Sequence, residues 1–317
     1  MNGARTAAER HVPVLAARCL DLLRPALADG GTLVDATLGM GGHSELVLRE
    51  IPAARVIGID RDAEAIALAS ARLASHGERF RAVRTTYDRI ADVAGQGVEA
   101  VLMDLGVSSL QLDETNRGFS YGQDAPLDMR MDPSTGESAA DLLARAPESE
   151  LRTILHRFGE ERFAARIARE IVRVRADHRV ERSGELVDIV RRSIPAAARR
   201  HGGNPAKRTF QALRIAVNRE LEILAAALPA ALDALLPGGR IVVLSYHSLE
   251  DRIVKQELHR RSTSSAPPGL PELDEHRPTF RLLTRGAELA DEAEIAANPR
   301  SSSVRLRAAE RIPGGTP

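Results

Sequence analysis

Apolar positions along the chain recur in two rhythms. Short apolar runs end repeatedly in an acid: TLVDA (Thr32 to Ala36), RVIGID (Arg55 to Asp60) and VEAVLMDLG (Val98 to Gly106). FRAVRT (Phe80 to Thr85) falls between the second and third, and GGRIVVLSYHS (Gly238 to Ser248) lies far downstream. Runs this short and rich in branched residues read as strands. Between them come stretches with helical spacing, such as AEAIALASARLASHG, closed by Gly77. Strands alternating with helices predict an α/β architecture, a parallel sheet with helices on both faces.

The alternation stops between about Asp113 and Ala206. The text there turns loop-like (ETNRGFSYGQDAPLDMRMDPSTGESA) and then helical (LRTILHRFGEERFAARIAREIVRVRAD), with no strand pattern. This predicts an all-helical domain, 113–206, inserted into a sheet domain formed by 1–112 and 207–317. The run TFQALRIAVNRELEILAAALPAALDALL should carry the chain back to the sheet. A helix (EDRIVKQEL), a Pro/Ser-rich loop (SSAPPGLPEL) and two β-like runs, FRLLT (Phe280 to Thr284) and SSVRLRAAE (Ser302 to Glu310), close the sequence without any internal repeat.

Composition narrows the class without naming it. The 317 residues are 43% hydrophobic and 28% charged, enough for a real core. Lys+Arg and Asp+Glu both number 44, so a polyanionic partner must be argued from a local patch. Only Lys207 and Lys255 are lysines; the arginine bias follows overall composition, which weakens any argument from arginine alone. One cysteine, Cys19, forms no internal disulfide, which fits a reducing cytoplasm. No run approaches the ~18 apolar residues of a membrane span, so a soluble protein is expected.

The stretch VDATLGMGGHS (Val34 to Ser44) places Gly39, Gly41 and Gly42 between a strand and a helix. Such a turn lets a ligand approach the backbone and exposes N–H groups at the helix start. Asp60 follows about 20 residues on, where such folds accept hydrogen bonds from ribose hydroxyls. Asp35 lies just below the turn and Asp104 ends the fourth strand. The bland explanation is a tight turn with a solvated acid; the combination of glycines and three acids favours a nucleotide-type ligand in one crevice. A dinucleotide fold would continue with a second βαβ half, whereas here a helical insertion and a terminal strand pair follow. That ending resembles the antiparallel pair of S-adenosylmethionine-dependent methyltransferases, although Thr37 stands where their first glycine often does.

The resemblance extends over nearly the whole chain. HVPVL (His11 to Leu15), DATLGMGGHS, GIDRDAEAI, DLGVSSLQLD (Asp104 to Asp113), RGFSY (Arg117 to Tyr121), PLDMRMD (Pro126 to Asp132), FGEER (Phe158 to Arg162), RTFQALRIAVNREL (Arg208 to Leu221), SYHSLEDRIVK (Ser245 to Lys255) and NPRSSSVRLRAAER (Asn298 to Arg311) resemble the RsmH (MraW) family. That resemblance implies a Rossmann-like class I S-adenosylmethionine-dependent sheet. It also implies N4-methylation of one cytidine, conventionally numbered 1402, in the decoding region of bacterial 16S rRNA. Carried over by position, the cofactor contacts are Gly41, Gly42 and His43 in the turn, Asp60 at the ribose, and Tyr87, Asp104 and Gln111 toward the adenine. The family tends toward phenylalanine at the position of Tyr87.

Cytosine N4 is a poor nucleophile, so the site must chiefly align nitrogen, methyl carbon and sulfur and offer acceptors to the amine. DLGVSS after the fourth strand and SYHS after the fifth supply Asp104, Ser108, Ser109, His247 and Ser248 as candidates for handling the base. His247 reads equally as a structural histidine holding its turn. A cytidine in folded RNA must be turned out to be reached, so the backbone around it must be gripped. The window Val190 to Arg219 holds eight positive residues, among them Arg191, Arg192, Lys207 and Arg208, and no acid. Phosphate contacts there would give salt-dependent affinity, the alternative being a solvated arginine face. Phe119 and Tyr121 are candidates to stack on a base or to sit in the core. Asp128 and Arg130 read as polar contacts or an internal ion pair. No His/Cys spacing matches a zinc site, and no metal is expected. The expected partner is 16S rRNA within the small subunit, with a homodimer left open. A nucleotide-dependent oxidoreductase leaves Asp104 and the terminal strand pair unexplained. A non-catalytic RNA-binding or assembly factor, and methylation of another acceptor, stay as alternatives.

Overall fold

The computed structural model describes residues 13–108, 110–111, 117–199, 204–267 and 273–313. The chain divides into two compact units, residues 1–106 with 221–317 and residues 107–220.

The first unit is the sheet. Its strands are β1 (Gly31–Asp35), β2 (Ala54–Asp60), β3 (Phe80–Arg84), β4 (Val98–Asp104), β5 (Leu235–Ser245), β6 (Phe280–Leu282) and β7 (Arg305–Arg311). They lie in the order β3-β2-β1-β4-β5-β7-β6. The first five run parallel, and β7 pairs antiparallel with both β5 and β6. Strand alternation explains why both faces are covered. Leu33, Val56, Leu102, Leu244 and Leu306 point into one apolar layer with Leu23, Leu27, Val47 and Leu48, from helices α1 (Ala16–Leu27) and α2 (Gly42–Glu50). Their neighbours Val34, Ile59, Val101, Met103 and Val243 point into the other, against Leu224, Leu228, Leu232 and Val254. Helix α3 (Ala63–Leu73) starts on a side-chain cap, the Glu64 N–H donating to Asp62 Oδ1 at 3.1 Å. After β3 the chain crosses to the other side of β1, making β1 and β4 the point where strand order reverses, the usual place for a ligand crevice. Asp60, Asp35 and Asp104 end three adjacent strands there.

The second unit is helical: Ala139–Arg145, Glu148–Gly159, Ala164–Arg175, Ser183–Ser193, Ala196–Arg199 and Lys207–Asn218. It has its own core, including Leu143, Leu151, Leu155, Ile167, Ile171, Ile189, Phe210 and Leu213. Among its described residues the only β pairing is an isolated bridge between Pro126 and Arg182. The sequence boundaries of 113 and 206 therefore shift. The segment 207–220, assigned above to the sheet domain, belongs to the helical unit. Two local causes account for this. A Cβ on Gly159 would lie 2.6 Å from the Arg208 carbonyl, so that glycine lets the helices Glu148–Gly159 and Lys207–Asn218 approach closely. Arg219, at φ 53°, then breaks the expected continuous helix before Glu220–Ala234 begins. Among the described residues no helix is long and apolar enough to cross a membrane.

Candidate active site

The glycine turn is built for backbone access, though not by all three glycines alike. Gly39 (φ 51°) and Gly41 (φ 76°) adopt left-handed conformations that favour glycine. Gly41 is the N-cap of α2 and supplies no side-chain acceptor, leaving the first N–H groups of the helix without a side-chain cap. Gly42 has another reason: a Cβ there would come 2.6 Å from Pro13 Cγ, so this glycine is fixed by packing. Asp35 braces the turn from below. Its Oδ2 accepts from the Ser44 hydroxyl at 2.6 Å and its Oδ1 from the Thr37 N–H at 3.3 Å. Burial pushes its carboxyl up from the usual range.

Asp60 sits at the end of β2 with its carboxylate turned to the same loop. Gly39 N–H donates to Oδ2 and Asp62 N–H to Oδ1, both at 2.9 Å. Burial raises its pKa to about 6, more than those two hydrogen bonds lower it. Tyr87 opens a short 3₁₀ turn and rests partly buried against the layer containing Ile59 and Ile90. Beside it, Asp88 Oδ1 is buried and meets no donor.

Asp104, about a quarter exposed, is met at its two oxygens by different side chains. Its Oδ1 accepts from the Tyr246 hydroxyl at 2.6 Å, and His43 Nε2 stands 3.6 Å from Oδ2. That imidazole nitrogen is buried and makes no hydrogen bond. Tyr246 went unremarked in the sequence, where SYHS draws the eye to histidine and serine; the available signal was one of only three tyrosines directly after a strand. His247 is the N-cap of the helix Ser248–Ser262. Its Nδ1 accepts from the Glu250 N–H at 3.4 Å while Glu250 Oε2 accepts from the His247 N–H at 3.3 Å. The ring is thus tied into holding its turn, and Ser248 is the first residue of that helix.

The remaining candidates belong to the helical unit. Ser108 N–H donates to Gln111 Oε1 at 3.0 Å and Gln111 N–H to Ser108 Oγ at 3.3 Å, a small self-capped turn. Ser109 lies outside the described residues. Phe119 is 7% exposed and packed in the unit's core, which corrects its place among the expected RNA contacts. Tyr121 is 37% exposed, with Phe210 edge-on at 5.8 Å. Together with Arg191 and Arg192 it lines a cavity of about 980 Å³. Asp124 and Asp188 line the same cavity, so its arginines face acids as well as solvent. Lys207 and Arg208 begin the helix Lys207–Asn218, with Arg208 donating to the Glu160 carbonyl at 3.2 Å. Asp128 and Arg130 form an internal ion pair at 2.7 Å.

A 3-2-1-4-5-7-6 sheet with an antiparallel β7, a glycine turn after β1 and an acid after each of β2 and β4 defines a class I S-adenosylmethionine-dependent methyltransferase. The site fits that cofactor on its own terms. A buried acid waits at the end of β2, unpartnered buried atoms lie on His43 and Asp88, and three carboxylates at one sheet edge suit a cationic sulfonium.

Residues 8–312 match the MraW methylase family, and the chain belongs to that family. It is 65% identical over 312 residues to the ribosomal RNA small subunit methyltransferase H of Beutenbergia cavernae, covering 96% of this chain and 94% of that one. The protein of the same name from Nocardia farcinica is 60% identical, with 96% of each chain covered. Among solved structures, a putative rRNA-methylase from Clostridium thermocellum aligns over 95% of this chain and 100% of its own, at 14% identity and a TM-score of 0.46, too slight a likeness to bear on the assignment.

Proposed function

We propose that this protein methylates N4 of one cytidine in the decoding region of bacterial 16S rRNA, acting in the cytoplasm on the small ribosomal subunit. The observation that carries the reading is the full-length identity of 65% and 60% to proteins named ribosomal RNA small subunit methyltransferase H. The choice of cytidine N4 rests on the sequence resemblance, and the partly exposed Asp104 carboxylate supports it as an available acceptor for an exocyclic amine.

The turn Gly39–Gly41 and Asp60 would hold the cofactor, with Tyr87 and Asp88 toward its base. When bound, S-adenosylmethionine supplies an electrophilic methyl group. The chain supplies geometry, and alignment of reacting atoms is worth ~7 kcal/mol or more. Asp104 would accept a hydrogen bond from the cytosine amine, drawing its lone pair out of conjugation with the ring, and receive at Oδ2 the proton released as the C–N bond forms and the methyl–sulfur bond breaks, its electron pair leaving with the thioether product. His43, 3.6 Å from that oxygen, lies within reach of the same proton. In the helical unit Tyr121 offers a face for a base, and Arg191, Arg192, Lys207 and Arg208 offer phosphate contacts.

The test is methyl transfer from labelled S-adenosylmethionine to small subunits from cells lacking this protein, beside large subunits and lipid extracts. Label in 16S rRNA alone supports the reading. Cofactor binding with no RNA labelled at any stage of subunit assembly would replace it with the binding-factor or other-acceptor alternatives.

A further inference from the structure

Asp104 is held from two directions. Its backbone N–H donates to Thr37 Oγ1 at 2.6 Å, and Thr37 in turn donates its N–H to Asp35 at 3.3 Å. This gives a use to the hydroxyl that stands where a glycine was expected: it ties the cofactor turn to the end of β4. The carboxylate itself is faced by Tyr246 after β5, His43 at the start of α2, and, through space, Asp35 at the end of β1 and Cys19 on α1.

We propose that Tyr246, with Thr37 behind it, is a positioning residue for methyl transfer: its hydroxyl occupies Oδ1 of Asp104 and leaves Oδ2 as the oxygen offered to the acceptor amine. The proposal rests on the reading of Asp104 as the amine's acceptor. A carboxylate otherwise turns easily about its terminal torsion, whose preference is broad. A 2.6 Å bond from a hydroxyl to a charged oxygen is of the strong, charge-assisted kind and removes that freedom. Tyr246 is itself well seated. Its ring packs against the layer containing Leu244 and Leu306, its N–H donates to Glu250 Oε2 at 2.8 Å, and the chain after Asp104 turns beneath the ring through Gly106 at φ 94°. Burial and the neighbouring Asp104 hold the phenol protonated, well above its ordinary range. Tyr246 therefore donates and does not collect the proton, which goes to Oδ2.

Tyr246→Phe keeps the ring and removes the donor. Carbon-detected NMR of aspartate-labelled protein follows the Asp104 carboxyl, identified by its absence in Asp104→Asn. In Tyr246→Phe the Asp104 carboxyl resonance should move at fixed neutral pH, since the hydrogen bond to Oδ1 is lost, and kcat should fall about tenfold or more, while the KM for S-adenosylmethionine stays within about twofold. A purely structural tyrosine would lower stability and leave the kcat of the folded variant unchanged. Should Tyr246→Phe fold poorly, a fluorotyrosine at the same position keeps the ring and donates more strongly, and the resonance should move in the opposite direction. An unmoved resonance, or an unchanged kcat, in the folded variant overturns the proposal. The NMR needs no RNA, so a wild-type protein that labels no RNA, with the shift present in the variant, would refute the acceptor reading and leave the clamp standing.

Discussion

If Asp60 holds the cofactor's ribose as proposed, cofactor affinity should depend on pH. Its carboxylate is raised from 3.8 to about 6 by burial, with Asp62 and Asp35 pushing the same way against the Gly39 and Asp62 N–H groups. Hydroxyl groups of a ribose need an acceptor, and protonation converts one acceptor oxygen into a donor. With a pKa of about 6, the group is nearly all ionised at pH 7.5 and about one-tenth ionised at pH 5. The dissociation constant for S-adenosylmethionine should therefore rise about tenfold between those values, roughly 1.4 kcal/mol. Stability of the free protein runs the other way. A carboxyl raised by folding contributes stability that is full below about 3.8 and lost as pH rises through about 6, on the order of 3 kcal/mol from this group. Isothermal titration calorimetry between pH 5 and pH 8, in buffers of different ionisation enthalpy, reads both the affinity and the proton released. Asp60→Asn should bind weakly with a flat profile, which separates Asp60 from His43. An affinity for the wild type that is flat over this range, or an unchanged slope in Asp60→Asn, would mean that the Asp60 carboxylate does not hold the cofactor.

Other perturbations follow from single contacts. Gly42→Ala drives a methyl group to 2.6 Å from Pro13 Cγ and should cost about 1–3 kcal/mol in urea unfolding. Asn218 accepts from the Met131 N–H at 2.8 Å and donates to the Met129 and Arg214 carbonyls at 2.7 and 2.9 Å. Asn218→Ala should destabilise the helical unit by about 1–3 kcal/mol, seen as a lower Tm. Replacing both Arg191 and Arg192 by alanine should weaken RNA binding at all sequences alike and flatten its dependence on salt by between one and two units of slope, measured by filter binding. Tyr121→Ala should cost about 1–3 kcal/mol in binding of single-stranded RNA if a base stacks there, and nothing if it does not.

The strand pattern was legible because the central strands bury both faces, giving apolar runs, three of which end in an acid at the crevice. The glycine turn was equally plain, although its third glycine answers to Pro13, a contact distant in sequence. Two kinds of feature stayed hidden. The edge of the helical unit depends on how Gly159 meets the Arg208 backbone and on the left-handed Arg219, neither of which leaves a periodic trace. Asp104 could be picked out as the end of a strand, whereas its partners Tyr246 and Thr37 depend on how three strand ends meet in the sheet. His247 left two readings open in the sequence, and its Nδ1 caps the helix Ser248–Ser262, a contact that depends on where that helix starts.

Methyl transfer can be located by mass spectrometry of nucleosides from the decoding region of 16S rRNA, after reaction of small subunits with labelled S-adenosylmethionine and either the wild-type protein or folded Asp104→Asn. Label is expected on N4 of one cytidine with the wild type and should be lost in Asp104→Asn, with cofactor still bound. Label on another atom or another nucleotide, or undiminished transfer by Asp104→Asn, would contradict the proposed function.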